Sequence, residues 1–462
     1  MNPTALNHAL QRGWSWLGEQ APAHCSRRGW CAFQAGLFWM PSSALIGGLL
    51  LFLSLTLWAP AQQPRPLQRP LARVLLALAT LMVVTTIAAA PTLTLEQQLR
   101  LMNWLPFFWF FLAMRPYLTT PAARNRLAMA LVAGTVPIAL LGLAQATFGF
   151  SGPWQALGGL LAWDLPELYK SRGAGAFPNP NFTAAWYVTV LPLAAAQVLR
   201  WRTASSTLRG GPLALLSCGV LALLAIALYV CGSRNALLVT PIALLALSPS
   251  SFALPLLVIC GSLGALLALA LWGSGLGIAW SPAITLAQWA TGNFNWKVAA
   301  MVSHRSGSAD DPLRQELYPK AWRFISAHPW LGGGERMLPG SPDALQQPSG
   351  LTHLHSLPMQ FAINHGLPAL LLLTVLVVWL LLRAWRALGG QNLPQGSQRQ
   401  LVDRSLVIAA TTAIWLHVLD IPSFDSRINV LGWVLLGVLW MLGSTPPPTV
   451  GHSGQPGVSA RS

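Results

Sequence analysis

The sequence predicts an all-α protein: a polytopic transmembrane helix bundle of about 11–12 spans with one long outer-face loop containing short helices. Three observations predict it. Apolar residues make up 54% of the chain and charged residues only 9%, whereas soluble domains carry about 25% charge. The apolar residues fall into runs of about 20, the length that crosses a bilayer as helix. The 22 tryptophans suit rings that anchor helix ends at the headgroup level.

The elements follow in order. Residues 1–29 are polar and basic and read as a cytoplasmic tail, with Trp14 and Trp16 able to rest on a membrane surface. Transmembrane helices occupy 30–272. The run 30–58 is split at Pro41-Ser42-Ser43 into a short helix and a fuller one, and further spans are expected at 71–90, 101–118, 125–148, 181–199, 212–232, 234–248 and 252–272. A long periplasmic loop covers 273–356. More spans follow at 357–385, 405–421 and 428–444, within a second membrane block at 357–444, and the Pro/Gly/Ser-rich 445–462 reads as a disordered tail. Five cysteines make no disulfide framework. Cys218, Cys231 and Cys260 lie in apolar runs as small core residues. No cleavable signal peptide is expected.

Arginine placement orients these spans. The loops near 59–70, 115–126, 200–211 and 386–404 are basic and alternate along the chain, which makes them cytoplasmic by the positive-inside rule. The loops near 91–100, 149–180, 232–234, 273–356 and 421–427 then face outward. The basic N-terminus fits if 30–58 crosses twice, and eleven crossings would put it outside. The net charge of +16 belongs to this loop pattern, and no nucleic-acid motif accompanies it.

Polar constellations gather on the outer side. The first ends the loop before 181: Arg172, Gly173, Gly175 and Asn181, with Asn181 at a helix N-cap and backbone N–H groups placed for an anion. The alternative is a turn with an ordinary cap. The second is Gly232-Ser233-Arg234-Asn235, which holds Arg234 at the membrane surface with no acidic neighbour in sequence. It faces an anionic ligand or snorkels to lipid phosphate. The third is the long loop. Its 310–318 stretch bears Arg314, and the segment from Lys320 reads as an amphipathic helix anchored by Trp322, Phe324 and Ile325 and stopped by Gly332-Gly333-Gly334. That glycine run has no following Gly-Lys-Ser/Thr, so nucleotide binding is discounted. The loop closes at His353 and His355 as the chain re-enters lipid. A histidine there can take a proton from an acceptor hydroxyl, since imidazole titrates near neutral pH. The arginines suit a pyrophosphate leaving group, because guanidinium grips phosphate in a fork. The histidine pair lacks a third ligand at a fitting spacing, so no metal and no other cofactor is expected.

In this order the constellations resemble the O-antigen ligase and polymerase family. The resembling residues are Gly175-Ala176-Phe177-Pro178-Asn179-Pro180-Asn181, Ser233-Arg234, Arg314 with Trp322, Pro329 and Leu331-Gly332-Gly333-Gly334, and His355-Ser356 followed after nine residues by Gly366. The family motif continues to a threonine pair, where this chain has Leu370 and Leu371. The resemblance implies metal-independent glycosyl transfer on the outer face of the inner membrane. The donor is a polyprenyl-pyrophosphate-linked glycan and the acceptor a lipid or glycan hydroxyl. Arg234 and Arg314 hold the pyrophosphate, Arg172 is a further contact, Asn181 and His353 lie in the binding site, and His355 is the base. Membrane lipids are the other partner, and no nucleic acid is expected. The ending Asp420-Ile421-Pro422-Ser423-Phe424-Asp425-Ser426-Arg427-Ile428-Asn429 also looks like that of cyanobacterial members of this superfamily proposed to take part in inorganic-carbon uptake. The alternative function is therefore an anion (bicarbonate) transporter or accessory protein.

Overall fold

The computed structural model describes residues 21–59, 70–89, 91, 95–150, 152–156, 161–163, 165, 169, 172–203, 210–247, 310–334, 354–389, 398–420 and 424–444. The expected span 252–272, most of the 273–356 loop, His353, Cys260 and the tail after 444 lie outside them. Within them the fold is all-α. The helices are α1 (Arg27–Trp39), α2 (Ala44–Leu55), α3 (Pro70–Ala89), α4 (Leu95–Leu99), α5 (Leu105–Ala113), α6 (Pro121–Phe148), α7 (Pro180–Thr203), α8 (Gly210–Cys231), α9 (Arg234–Leu245), α10 (Asp310–Ala327), α11 (Leu357–Gly389), α12 (Gln398–Leu419) and α13 (Ser426–Ser444). A small antiparallel hairpin, β1 (Trp154–Ala156) and β2 (Leu161–Trp163), lies between α6 and α7. Helices α3, α6, α7, α8, α11, α12 and α13 are long and apolar enough to cross a membrane, and α2 and α9 are shorter apolar helices. The chain is a multi-pass membrane protein.

Two expectations change. The 30–58 run forms two helices of similar length rather than a short and a fuller one: α1 has 13 residues and α2 has 12. Each spans only about 20 Å, less than a bilayer core. They pair as a hairpin at Gly36 and Gly47, where a Cβ on Gly47 would stand 2.6 Å from the Met40 Cα. The ends return together, since Ser26 Oγ donates to the Trp58 carbonyl at 3.2 Å. The expected span 101–118 is instead a turn at Arg100–Asn103, the nine-residue α5 and a turn at Arg115–Leu118. Pro106 and Pro116 each open one of these short pieces, because proline suits a first turn and interrupts a continuing one.

The loops sort to two ends of the bundle. At one end, arginines among the described residues are tied to the protein. Arg124 makes a forked pair with Asp403, Nε to Oδ1 at 2.7 Å and Nη2 to Oδ2 at 2.8 Å. Arg200 donates to Asn125 Oδ1, Arg404 to the Ala246 carbonyl and Arg383 to the Gly443 carbonyl. Tyr117 donates to the Ser54 carbonyl at 2.7 Å, joining the α2 end to this group. Arg124 and Arg126 were expected in a loop but lie buried in the opening turns of α6. Thr120 caps that helix by accepting from Ala123 N. The Arg124–Asp403 pair also explains why α12 begins at Gln398 rather than near 405. A polar segment continues as helix when its charge has a buried partner. Cys231 is buried as expected, whereas Cys218 is exposed on α8.

Candidate functional site

At the opposite end, the 172–179 loop, the α8–α9 turn, the entry to α11 and the α12–α13 connection come together. The loop before α7 is held by Gln145 of α6. Gln145 Oε1 accepts from the N–H groups of Ala174 and Gly175, both at 2.8 Å, and its Nε2 donates to the Gly175 carbonyl. Gly173 N donates to the Val230 carbonyl. These N–H groups are therefore bound within the protein, and the expected backbone cradle for an anion does not form at 173–175. Close approach to α6 requires the glycines: a Cβ on Gly173 would meet the Gly142 carbonyl at 2.5 Å. The cap of α7 is Asn179, not Asn181. Asn179 Oδ1 accepts from Asn181 N at 2.8 Å, because Pro180 takes the first helical position, where its missing N–H is harmless.

Asn181 instead faces Arg172. The Arg172 guanidinium is buried, donating from Nη2 to Asn181 Oδ1 at 2.7 Å and from Nε to the Cys231 carbonyl at 2.6 Å. A cation at the end of α8 answers the partial negative charge of its last carbonyls. Gly232, with φ +63°, turns the chain beside that guanidinium, and Arg234 opens α9. Arg172 and Asn181 thus support the turn that delivers Arg234.

His355 lies in the connection into α11. It is the one non-glycine residue with positive φ, at +53°, among the described residues. Such a conformation costs about 1–3 kcal/mol and persists where surrounding structure imposes it. Leu354 N donates to Gln360 Oε1, Tyr318 of α10 donates to the His355 carbonyl at 3.3 Å, and Gln360 N donates to the Ser356 carbonyl. The resulting path brings His355 Nδ1 to 2.9 Å from Asp420 Oδ1, at the end of α12. A carboxylate at that distance orients the ring and favours the Nδ1–H tautomer, leaving Nε2 as the proton-accepting nitrogen.

Arg314 lies on α10, which is packed on the first part of α11 through Tyr318, Ala321 and Ile325 against Leu354, Met359, Ala362 and Ile363. Ile325 is buried as expected, but Trp322 is 52% exposed and so does not anchor the helix to the protein. The glycine run after α10 does not cradle phosphate. Gly333 N and Gly334 N donate to the carbonyls of Ile363 and Asn364, and Leu367 N donates to the Pro329 carbonyl. These bonds serve a break in α11 at Gly366, where φ is +80° and ψ 171°. A Cβ on Gly366 would meet the Trp330 carbonyl at 2.2 Å, and one on Gly332 the Ile363 carbonyl at 2.4 Å.

Sequence reasoning missed several partners. Asp420 entered it only as part of a terminal pattern, and Gln145 and Tyr318 not at all as site residues. His365 is buried, with its Nδ1 2.9 Å from Thr85 Oγ1 of α3. Asp425 and Arg427 pair at the start of α13, and Arg427 donates to the Ala176 carbonyl at 2.7 Å while lying over the Phe177 ring. The signal available for Asp420 was its rarity, one of 12 acidic residues in the chain, placed just beyond an apolar run.

A helical bundle with, among the described residues, seven helices long and apolar enough to cross a membrane, and a His355–Asp420 contact at one end, defines a class: polytopic membrane proteins. Residues 219–374 match the family model described as O-antigen ligase. The matched segment contains α9, α10 and the His355 entry to α11. No curated protein matches the chain.

Proposed function

We propose that the chain transfers a glycan from a polyprenyl-pyrophosphate donor to a hydroxyl acceptor, on the periplasmic face of the bacterial inner membrane. The basic end of the bundle is then cytoplasmic, and the 273–356 loop is periplasmic. The observation that carries this reading is the His355–Asp420 hydrogen bond at 2.9 Å, made by a residue held at positive φ.

In the reaction, the acceptor hydroxyl gives its proton to His355 Nε2. Its oxygen bonds to the anomeric carbon of the donor sugar. The bond from that carbon to the pyrophosphate oxygen breaks, and the electron pair leaves with polyprenyl pyrophosphate. Asp420 stabilises the imidazolium that forms, as an orienting carboxylate does in other acid–base pairs. Arg234 and Arg314 stabilise the charge developing on the leaving group. Arg172 and Asn181 hold the Arg234 turn. No metal or other cofactor takes part in this scheme.

The test is transfer from a labelled polyprenyl-pyrophosphate glycan by the full chain in phospholipid vesicles. Parent protein is expected to transfer and His355→Ala to lose transfer while keeping the same thermal unfolding midpoint. Full activity in His355→Ala would remove the base from this position. Bicarbonate uptake by the same vesicles without any transfer would favour the anion-path reading.

A further inference from the structure

We propose that Trp330 and Leu331, at the bend after α10, are seated in the lipid headgroup layer and dock α10 onto the bilayer itself. This does not depend on the transfer reaction. Helix α10 is not among the membrane-crossing helices, yet the bend that follows it exposes large apolar side chains: Trp330 at 75% and Leu331 at 44%.

Lipid covers them, as it covers the adjoining face of α11. Leu367, Leu371, Val375, Val378 and Leu382 are all exposed, and their spacing of three and four residues puts them on one helix face. On a helix long and apolar enough to cross a membrane, that face meets lipid. The bend adjoins its end, because the Pro329 carbonyl accepts from Leu367 N at 2.7 Å and the Trp330 carbonyl presses on Gly366. The lipid-facing strip therefore continues into Trp330 and Leu331.

Distance along the helix fixes the depth. Arg383 bonds to the Gly443 carbonyl at the basic end, and Leu367 stands sixteen residues earlier, a rise of about 24 Å. A hydrocarbon core of about 30 Å then extends a few ångströms past Leu367, to the level of the bend. Tryptophan is enriched at that depth because its ring is apolar while its N–H finds water or headgroup oxygen.

The test uses the full chain with its five cysteines replaced by alanine and Trp330→Cys carrying an environment-sensitive fluorophore. It is placed in phosphatidylethanolamine–phosphatidylglycerol vesicles, with Leu371→Cys as the lipid-facing reference. Quenching of the label at 330 by a shallow nitroxide phospholipid is expected within about twofold of the reference, with little quenching by aqueous iodide. Strong iodide quenching with weak nitroxide quenching would overturn the proposal. A second measurement needs no substitution: a phospholipid with a diazirine near its headgroup should label the peptide holding Trp330 and Leu331 in the unaltered chain. Absence of that adduct, or crosslinking of the bend to a second copy of the chain, would also overturn it.

Discussion

The two ends of the bundle handle polar groups in opposite ways. At the basic end, arginines close onto partners within the protein: Arg124 on Asp403, Arg200 on Asn125, Arg383 and Arg404 on helix-terminal carbonyls. Among the described residues there, none combines a side chain with positive φ. At the other end, backbone strain is concentrated. His355 has positive φ, α11 breaks at Gly366, and Gly332 adopts positive φ to reach that break. The contrast teaches that charge alone does not mark a site in this protein. A forked arginine pair fixes architecture, whereas a single histidine–carboxylate contact, held in a costly backbone conformation, is the place where we propose the chemistry.

Substitutions can break that comparison. The largest effect is expected from His355→Ala, which should lower transfer by about a hundred- to ten-thousandfold, the usual contribution of a general base, measured as initial rate in vesicles. Breaking the Arg124–Asp403 pair with Asp403→Asn should cost about 3–5 kcal/mol, because a buried arginine keeps its charge without a counterion. Replacing both as Arg124→Met and Asp403→Leu should recover most of it, read by thermal unfolding in detergent. An Asp403→Asn protein of unchanged stability would refute the architectural role of the basic end. Asp420→Asn should reduce transfer by about a hundredfold through misoriented imidazole, with little change in donor binding. Arg234→Ala should weaken binding of a polyprenyl-pyrophosphate glycan by about ten- to a hundredfold, the loss of a charge-assisted contact of about 1.5–3 kcal/mol. Gly366→Ala should lower the thermal unfolding midpoint, because its Cβ would overlap the Trp330 carbonyl at 2.2 Å on top of the about 1–3 kcal/mol that positive φ costs.

Much of the fold was legible because span length and apolar content are local. The boundaries of α3, α8 and α13 fall close to those read from the apolar runs. The errors have a common origin in tertiary pairing or proline. The charged start of α12 looked like loop because Asp403 has its partner 279 positions away. The 101–118 run looked like one span because apolar content hides the division made by Pro106 and Pro116. At the site, His355 and Arg234 stood out as costly polar residues at a membrane edge. Asp420 did not, since a separation of 65 residues leaves no trace in local pattern. The N-cap was misplaced by two residues because both Asn179 and Asn181 are good caps, and Pro180 decides between them.

The α1–α2 hairpin bears on how the chain is oriented. Ser26 Oγ bonds to the Trp58 carbonyl, so the two ends of the hairpin meet at one end of the bundle. The emission of a fluorescent protein joined ahead of residue 21 would therefore report which compartment holds that end.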